Sequence, residues 1–586
     1  MLRLTTSRAA AVVAAAALVL TGCAPTLPTE GEVESVGVPL DADYEEYGPN
    51  PAGPTSGAMP EDIIDGFLDA GAGPQNDYEI AREYLTDEAA EEWNPGERTL
   101  VYEGDNRETS PSGESIYNVQ LVVDAHIDSD GIMTRPQDVQ GMTFELEQVD
   151  GEWRISTPPD GTILEANMFY SVYQPYTLFF FDPQESYVVP DVRWFVNRAG
   201  LPAEIANQLL RGPAPWLSEG VVSAFDEEAS LASPSVPIDA GAARVDLAPS
   251  AVSGASDREL ALMHYQMQMT LDQLSTVQRV EFTSGGNELD VPEPGDLPEG
   301  ERLDINARPS ADESMIGVRD DALVLQTGGT TSALSGMPDL TDIGPRFPAM
   351  PTASTGEVVA FMSEDLDELY HVRPDTEEPT LLVESENMTR PSMDNFGWTW
   401  TVTHEGDNPT IRAYSYDDPE DTTSTQFEAA FLEDREVTSL RISQDGARAA
   451  IVVEDAGVTS LYIASVIRDG TTGLPRGLGQ HTRLEADDQV GLQEVRWADA
   501  TEVVVWEPYD PDEDDVAPEY IQRIDLSGAR SDPEEGFANL LNVAVGEGSS
   551  LSVYAEQQGV GVYMLIGEEW SIQEEMDGVE DLSYSG

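Results

Sequence analysis

The chain runs to 586 residues with 111 acidic side chains against 29 basic ones, a formal charge of −82. All 29 basic residues are arginine, which excludes a phosphate-gripping P-loop lysine, a kinase ATP lysine and a Schiff-base amine. Such acidity also excludes a broad nucleic-acid-binding patch, and one cysteine excludes an internal disulfide or a Cys-rich metal site.

Arg3 and Arg8 precede an uncharged apolar run over residues 9–20, the n- and h-regions of an export signal. That run is too short to span a bilayer as a permanent helix, which takes about 20 residues. The single cysteine, Cys23, follows Leu20, Thr21 and Gly22, and this stretch resembles a bacterial lipobox. Residues 1–22 then read as a signal peptide cut between Gly22 and Cys23, with Cys23 as the lipidation site. Cys23 would become an S-diacylglycerol, N-acyl (palmitate-type) cysteine; the alternative is an ordinary signal peptide with a chance cysteine nearby. Two or more acyl chains anchor stably where one binds only marginally. Residues 23–58 are acidic and Pro-rich without apolar periodicity, a tether reaching roughly 100 Å at about 3.1 Å per residue. Loss of residues 1–22 removes two arginines and leaves −84, so anionic headgroups repel the mature chain and only the acyl group holds it to the membrane. The dense carboxylates are also consistent with adaptation to salt.

Residues 59–165 predict an α+β module of the NTF2-like type. "PEDIIDGFLDA" sets Ile63, Ile64, Phe67 and Leu68 on one helical face, and "NDYEIAREYL" predicts a second helix. Alternation then takes over: Tyr117, Val119, Leu121 and Val123 share a strand face, and Met142, Phe144 and Leu146 another. Turns fall at Asp130-Gly131 and Asp150-Gly151. Residues 166–294 form the next unit, with a strand "YTLFFFD", a helix "PAEIANQLLRGP" ending at Gly212-Pro213, and a helix opened by Ser256 and Glu259 as a capping box. Leu260, Met263, Met267, Leu271 and Leu274 recur at helical spacing, a stripe better read as core than as a binding face. Residues 295–311 read as a linker.

From residue 312 to 586 the pattern changes to short strands around related turns. "TRPSMDNFGWTWTV", "LRISQDGARAAIVV", "EVRWADATEVVVW" and "VAVGEGSSLSVYA" place Asp394, Asp445, Asp499 and Glu547 at spacings of 51, 54 and 48 residues. "MIGVRDDALVLQ" and "TGEVVAFMS" fit two more units less clearly. A period near 50 with several strands per unit predicts an all-β propeller of five to seven blades, six preferred. The fold class is thus multidomain, α+β modules followed by a propeller.

Together, Cys23 in its lipobox, "DIIDGFLDA" and "AREYLT" with Trp93, "LLRGPAPWL", "RVDLAPSAV" and the propeller turns resemble the LpqB family of actinobacterial envelope lipoproteins. The segment over 166–294 resembles the GerMN domain of sporulation and germination proteins. The resemblance implies a protein at the cell membrane, lipid-anchored on the extracytoplasmic face. It implies a non-enzymatic modulator of a two-component sensor kinase of the MtrA–MtrB type, with effects on cell-wall and division physiology. The partners implied are the extracellular domain of an MtrB-like kinase and the membrane, with peptidoglycan as a further candidate and no nucleic acid. A peptidoglycan-binding or peptidoglycan-hydrolysing envelope protein is the alternative; a solute-binding subunit is less favoured, since two α/β lobes are not apparent.

No catalytic, cofactor-binding or metal residue is assigned from the sequence. His126, His264, His371, His404 and His481 are scattered without an i, i+4 pair, and His264 reads as a surface or satisfied histidine. "DPDEDD" at 510–515 alternates acids like the start of a calcium loop but lacks the glycine of its sharp turn, so it reads as a solvated blade loop. Asp128 and Asp130 flank what reads as a plain hairpin turn.

Overall fold

In the computed structural model, residues 49–586 are described apart from 137, 308–313, 353–355, 407, 418–421, 488–489, 510–518, 530, 548–550 and 568. Gly22, Cys23, the tether up to residue 48 and the acidic run 510–515 lie outside the described residues.

Proline at the first position of helix Pro60–Ala70 forfeits no intrahelical bond, and Ile63, Ile64, Phe67 and Leu68 are all buried on its inner face. The expected second helix shrinks to Glu79–Arg82, because Asn76, Asp77 and Tyr78 hold successive φ values of 49, 58 and 59°. A third, Asp87–Glu92, starts where the Thr86 side chain accepts from the Ala89 N–H. The sheet beside them runs Glu152–Thr157, Val139–Val149, Ile116–Asp128, Arg98–Pro111, Thr162–Glu165, antiparallel except for its last pair. Val119, Leu121, Val123 and Phe144 meet the helices in one core, where Phe67 lies edge-on to Trp93 at 5.1 Å and to Phe144 at 6.3 Å.

In the middle module, strand Tyr173–Phe181 pairs antiparallel with Val188–Val196, and helix Leu201–Arg211 follows. Ala242–Leu247 and Arg279–Ser284 pair in parallel across helix Asp257–Leu271. The capping box forms: the Ser256 N–H donates to Glu259 Oε2 at 2.7 Å, and the Glu259 N–H to Ser256 Oγ at 3.3 Å. Met263, Met267, Leu271 and Leu274 enter the core with Phe180, Ile205 and Leu209, so the methionine stripe is packing. The expected linker is no loose tether in its described part. Leu303, Ile305 and Ala307 alternate toward one apolar cluster with Phe181, Val188 and Leu262, and the Val188 N–H donates to Asn306 O at 3.1 Å.

Among the described residues, the last region builds six four-stranded sheets, each with a sequence-adjacent first, second, third and fourth strand except the first sheet. There, Met315–Arg319, Ala322–Thr327 and Thr330–Ala333 are joined by the C-terminal strand Glu580–Tyr584, which takes the innermost place beside Met315–Arg319. The ring closes through that strand, which leaves no open edge between last and first blades. The repeated turns join first to second strands. Asp394 Oδ1 accepts from the Phe396 and Trp398 N–H groups, each at 2.9 Å, Asp445 Oδ1 from Ala447 at 3.0 Å and Asp499 Oδ1 from Thr501 at 2.6 Å. A short carboxylate at such a turn replaces a backbone acceptor, which explains why aspartate recurs there. "MIGVRDDALVLQ" is out of phase with these turns: its Asp320-Asp321 joins second to third strand, because the first strand of that blade comes from the far end of the chain.

All three regions belong to one compact unit, Gly48–Gly586. Trp194 Nε1 donates to Ser527 O and Arg135 Nε to Gly528 O, both at 2.8 Å, and Gln184 Nε2 reaches Asp469 O at 2.7 Å. Gly220 passes so close to the fourth blade that a Cβ there would stand 2.9 Å from both Ala447 O and the Ser465 side chain.

Candidate functional site

Between the first module and the middle one lies a cavity of about 360 Å³. Tyr78, Arg82, Trp93, Arg98, Tyr173, Trp194 and Arg198 line it. The three left-handed residues before helix Glu79–Arg82 turn Tyr78 inward, where it is 3% exposed and edge-on to Trp93 at 5.9 Å. Arg82 is held over the Trp93 ring at 5.3 Å, with its Nη2 2.7 Å from Asp77 Oδ2. Trp93 is fixed in turn by its Nε1, which donates to Pro159 O at 3.1 Å.

The floor is a chain of hydroxyls. Thr99 Oγ1 lies 2.8 Å from both Thr162 Oγ1 and the Tyr173 hydroxyl. Burial pushes the phenols of Tyr78 and Tyr173 up from their ordinary range, so both remain protonated, neutral hydrogen-bonding groups.

The far wall is organised by a buried ion pair. Arg193 Nη2 meets Asp191 Oδ2 at 2.7 Å with both side chains 2% exposed, and also donates to Gly212 O at 3.1 Å. Arg193 Nη1 reaches Asp130 O at 3.4 Å, and Gln208 Nε2 donates to Asp130 Oδ1 at 3.1 Å. Gly131 adds a close crossing: its carbonyl accepts from the Trp194 N–H at 2.8 Å, and a Cβ at its φ of 80° would stand 2.6 Å from Trp194 O. The Asp130-Gly131 turn is therefore the joint between the modules. The sequence signals a turn there; the partners, more than 60 residues further along, carry no mark in it.

The five histidines stay apart. His126 sits in the first sheet, and burial lowers its pKa. His264 Nε2 lies 2.9 Å from Val280 O and its ring packs on Phe282, which satisfies it inside the middle module. His371, His404 and His481 belong to three different blades. Among the described residues, no group of three or more His, Cys, Asp or Glu is placed to hold a metal ion, and no helix is long and apolar enough to cross a membrane. Arg82 lies over Trp93 and pairs with Asp77, Arg198 Nη2 lies 3.4 Å from Glu204 Oε2, and the phenols of Tyr78 and Tyr173 stay protonated.

Family models divide the chain as its modules do. Residues 53–170 match "Lipoprotein LpqB, N-terminal domain", 177–290 match "Sporulation and spore germination", and 321–581 match "Lipoprotein LpqB beta-propeller domain". The chain belongs to the LpqB lipoprotein family. Relatives named Lipoprotein LpqB include one from Nocardia farcinica, 27% identical over 82% of this chain and 83% of its own length. One from Mycobacterium ulcerans is 25% identical over 94% of each chain. A relative from Cutibacterium acnes is 30% identical, and that match spans about half the length of each, 48%. Solved structures resemble the chain only in part: "Structure of Dos1 propeller" covers 39% of this chain and 60% of its own, at 14% identity and a TM-score of 0.27. The propeller follows instead from the strand pairing above. In this LpqB-family chain the cavity falls where the first two matched regions meet, and Tyr173 lies between them.

Proposed function

We propose that the chain is a lipid-anchored protein of the extracytoplasmic membrane face that modulates a two-component sensor kinase of the MtrA–MtrB type, without catalysis of its own. It does so by binding the kinase's extracellular domain, and through the kinase it influences cell-wall and division physiology. The observation that supports a binding role is the cavity between the first two modules, with Trp93, Tyr173 and Trp194 beside Arg82, Arg98 and Arg198. Trp93, Tyr173 and Trp194 are already buried, so they form the walls of a slot for an inserted group, and the half-buried guanidiniums of Arg98 and Arg198 are the polar heads a partner would meet. The hydrogen bond of Trp194 to the propeller supports a wall that is formed before a partner arrives. An acyl anchor on Cys23 would confine both molecules to one membrane, and the raised effective concentration lets a weak interface suffice.

Co-purification from detergent-solubilised membranes tests this reading. Full-length kinase should capture the chain, while a kinase lacking its sensor loop, or an Arg98→Glu chain, should lose most of that capture. Undiminished capture by the truncated kinase overturns it.

A further inference from the structure

The sixth blade ends in two outer strands, Gly561–Ile566 and Glu569–Ile572, in which Tyr563 stands opposite Ile572 and Leu565 opposite Trp570. Alternation sends the two faces of this pair to different neighbours. Val562 joins the core shared with the first blade, beside Met315 and Val324. Leu565 and Trp570 turn instead toward Trp506 and Ile521 of the fifth blade, and Tyr563 and Ile572 share their face.

The fifth blade covers that face only in part. Its outermost strand, Glu534–Glu535, has two residues, where the outermost strand of the fourth blade, Pro475–Leu484, has ten. Phe537, just beyond the short strand, fills some of the gap, with its ring 4.7 Å from Tyr563 and edge-on to Trp570 at 5.2 Å. Trp570 is pinned by its Nε1, which donates to Glu535 O at 3.2 Å. Phe537, Tyr563, Leu565 and Trp570 nevertheless stay half-buried, and Ile572 is 49% exposed. Single exposed apolar side chains are ordinary on a surface. Five in contact, three of them aromatic, have the composition of a docking site.

Charge selects the occupant. Glu535 adjoins Trp570 through that hydrogen bond, Glu569 precedes Trp570 and Glu574 follows Ile572 in the chain, and all three are exposed. The guanidinium on the neighbouring strand, Arg523, lies between Glu502 at 3.8 Å and Glu534 at 3.6 Å. Two occupants would meet like charge here. A second copy brings its own formal −82, and residues 23–48 of this chain carry seven acids and no base. A segment that offers an apolar side chain between positive ones meets complementary charge instead.

We infer that the outer strands of the sixth blade dock a basic segment of a partner protein, with one apolar side chain lodged against Phe537, Tyr563 and Ile572 and flanking cations facing Glu535, Glu569 and Glu574. The aromatic wall supplies affinity, and the acidic rim supplies speed and selectivity of association. This surface belongs to the propeller and does not depend on the cavity between the first two modules.

Full-length chain in phosphatidylcholine nanodiscs, titrated into fluorescein-labelled peptides and read by anisotropy against empty nanodiscs, tests the surface. One peptide sets a phenylalanine between two runs of three lysines, and a second has serine in its place. The phenylalanine peptide should bind on the order of tenfold tighter, the worth of a ring about half removed from water. Trp570→Ser and Ile572→Ser should each erase that advantage and leave the serine peptide's affinity unchanged, which separates the apolar contact from general attraction to an acidic chain. Ile572 is half exposed, so Ile572→Ser keeps the test open should Trp570→Ser fail to fold. Equal affinity for the two peptides, or an advantage that survives Ile572→Ser, overturns the inference. Dimerisation abolished by Ile572→Ser, or displacement of the phenylalanine peptide by a synthetic peptide of residues 24–48, overturns it as well, in favour of a second copy or the tether.

Discussion

Arg468 Nη2 donates to Asp394 Oδ2 across 2.6 Å, and both side chains are wholly buried. Asp394 also accepts from Trp400 Nε1 at 2.7 Å, while Arg468 Nε donates to Gly446 O at 2.9 Å and its Nη1 to Gly473 O at 3.1 Å. The pair therefore bolts the first turn of the third blade to two turns of the fourth. Removing one partner strands the other charge in the interior, at a cost of about 3–5 kcal/mol. Asp394→Ala should lower stability by that amount in urea unfolding. The double variant Asp394→Ala, Arg468→Met should lose clearly less than the two single losses combined; simple additivity would refute the coupling.

Two buried groups give stability opposite slopes with pH. His371 is 4% exposed with Nε2 2.8 Å from Thr399 Oγ1, and burial, then the charge of Arg373, lowers its pKa from 6.5 to about 3. Between those values the unfolded chain binds a proton that the folded chain refuses, so stability falls as pH drops through that window. Glu556 is raised from 4.5 to about 8 by burial, then by the charge of Asp581. Here the folded chain holds the extra proton, and stability falls as pH rises from 4.5 toward 8. Unfolding midpoints measured against pH should show His371→Gln flattening the acid limb and Glu556→Gln the opposite one. Curves parallel to the parent chain would refute both assignments.

Trp194 joins the middle module to the fifth blade through Ser527 O and packs against Phe169 at 4.9 Å. Trp194→Ala should cost about 3–5 kcal/mol. Because the lost contact lies between modules, calorimetry should also separate one transition into two. A single sharp transition at the parent temperature would show that the modules are not coupled through this side chain.

Closure of the ring depends on the strand Glu580–Tyr584, which pairs with Met315–Arg319 and touches the inner strands of the neighbouring blades. Deleting residues 580–586 should leave an unpaired edge on the first blade and drive aggregation, seen as high-mass species in size-exclusion chromatography. A monodisperse, cooperatively folded deletion product would contradict this.

Cys23→Ala removes the only sulfur that could carry a diacylglycerol. The variant should move from the detergent phase to the aqueous phase and lose the mass of the acyl groups. Its thermal unfolding should match the parent chain, since every described contact lies beyond residue 48. Detergent partitioning with the parent's mass shift would place the lipid elsewhere.

What the sequence determined by itself is local: alternation in residues 116–128, the capping box at Ser256 and Glu259, the methionine spacing of helix Asp257–Leu271, and the aspartate turns repeating near every 50 residues. Each depends on neighbours within about one turn or one hairpin, where side-chain period and turn chemistry leave a readable mark. The kink before helix Glu79–Arg82 escaped because Asn76 and Asp77 tolerate the left-handed region without requiring it, and Tyr78 gives no mark of it. Only the tertiary structure decided which turns become joints, that residues 303–307 dock rather than dangle, that the first blade borrows its innermost strand from the C-terminus, and that three arginines about 50 residues apart share Glu494. Each of these pairs groups far apart in the chain, and burial and charge balance at such meetings depend on where the folded backbone brings them together.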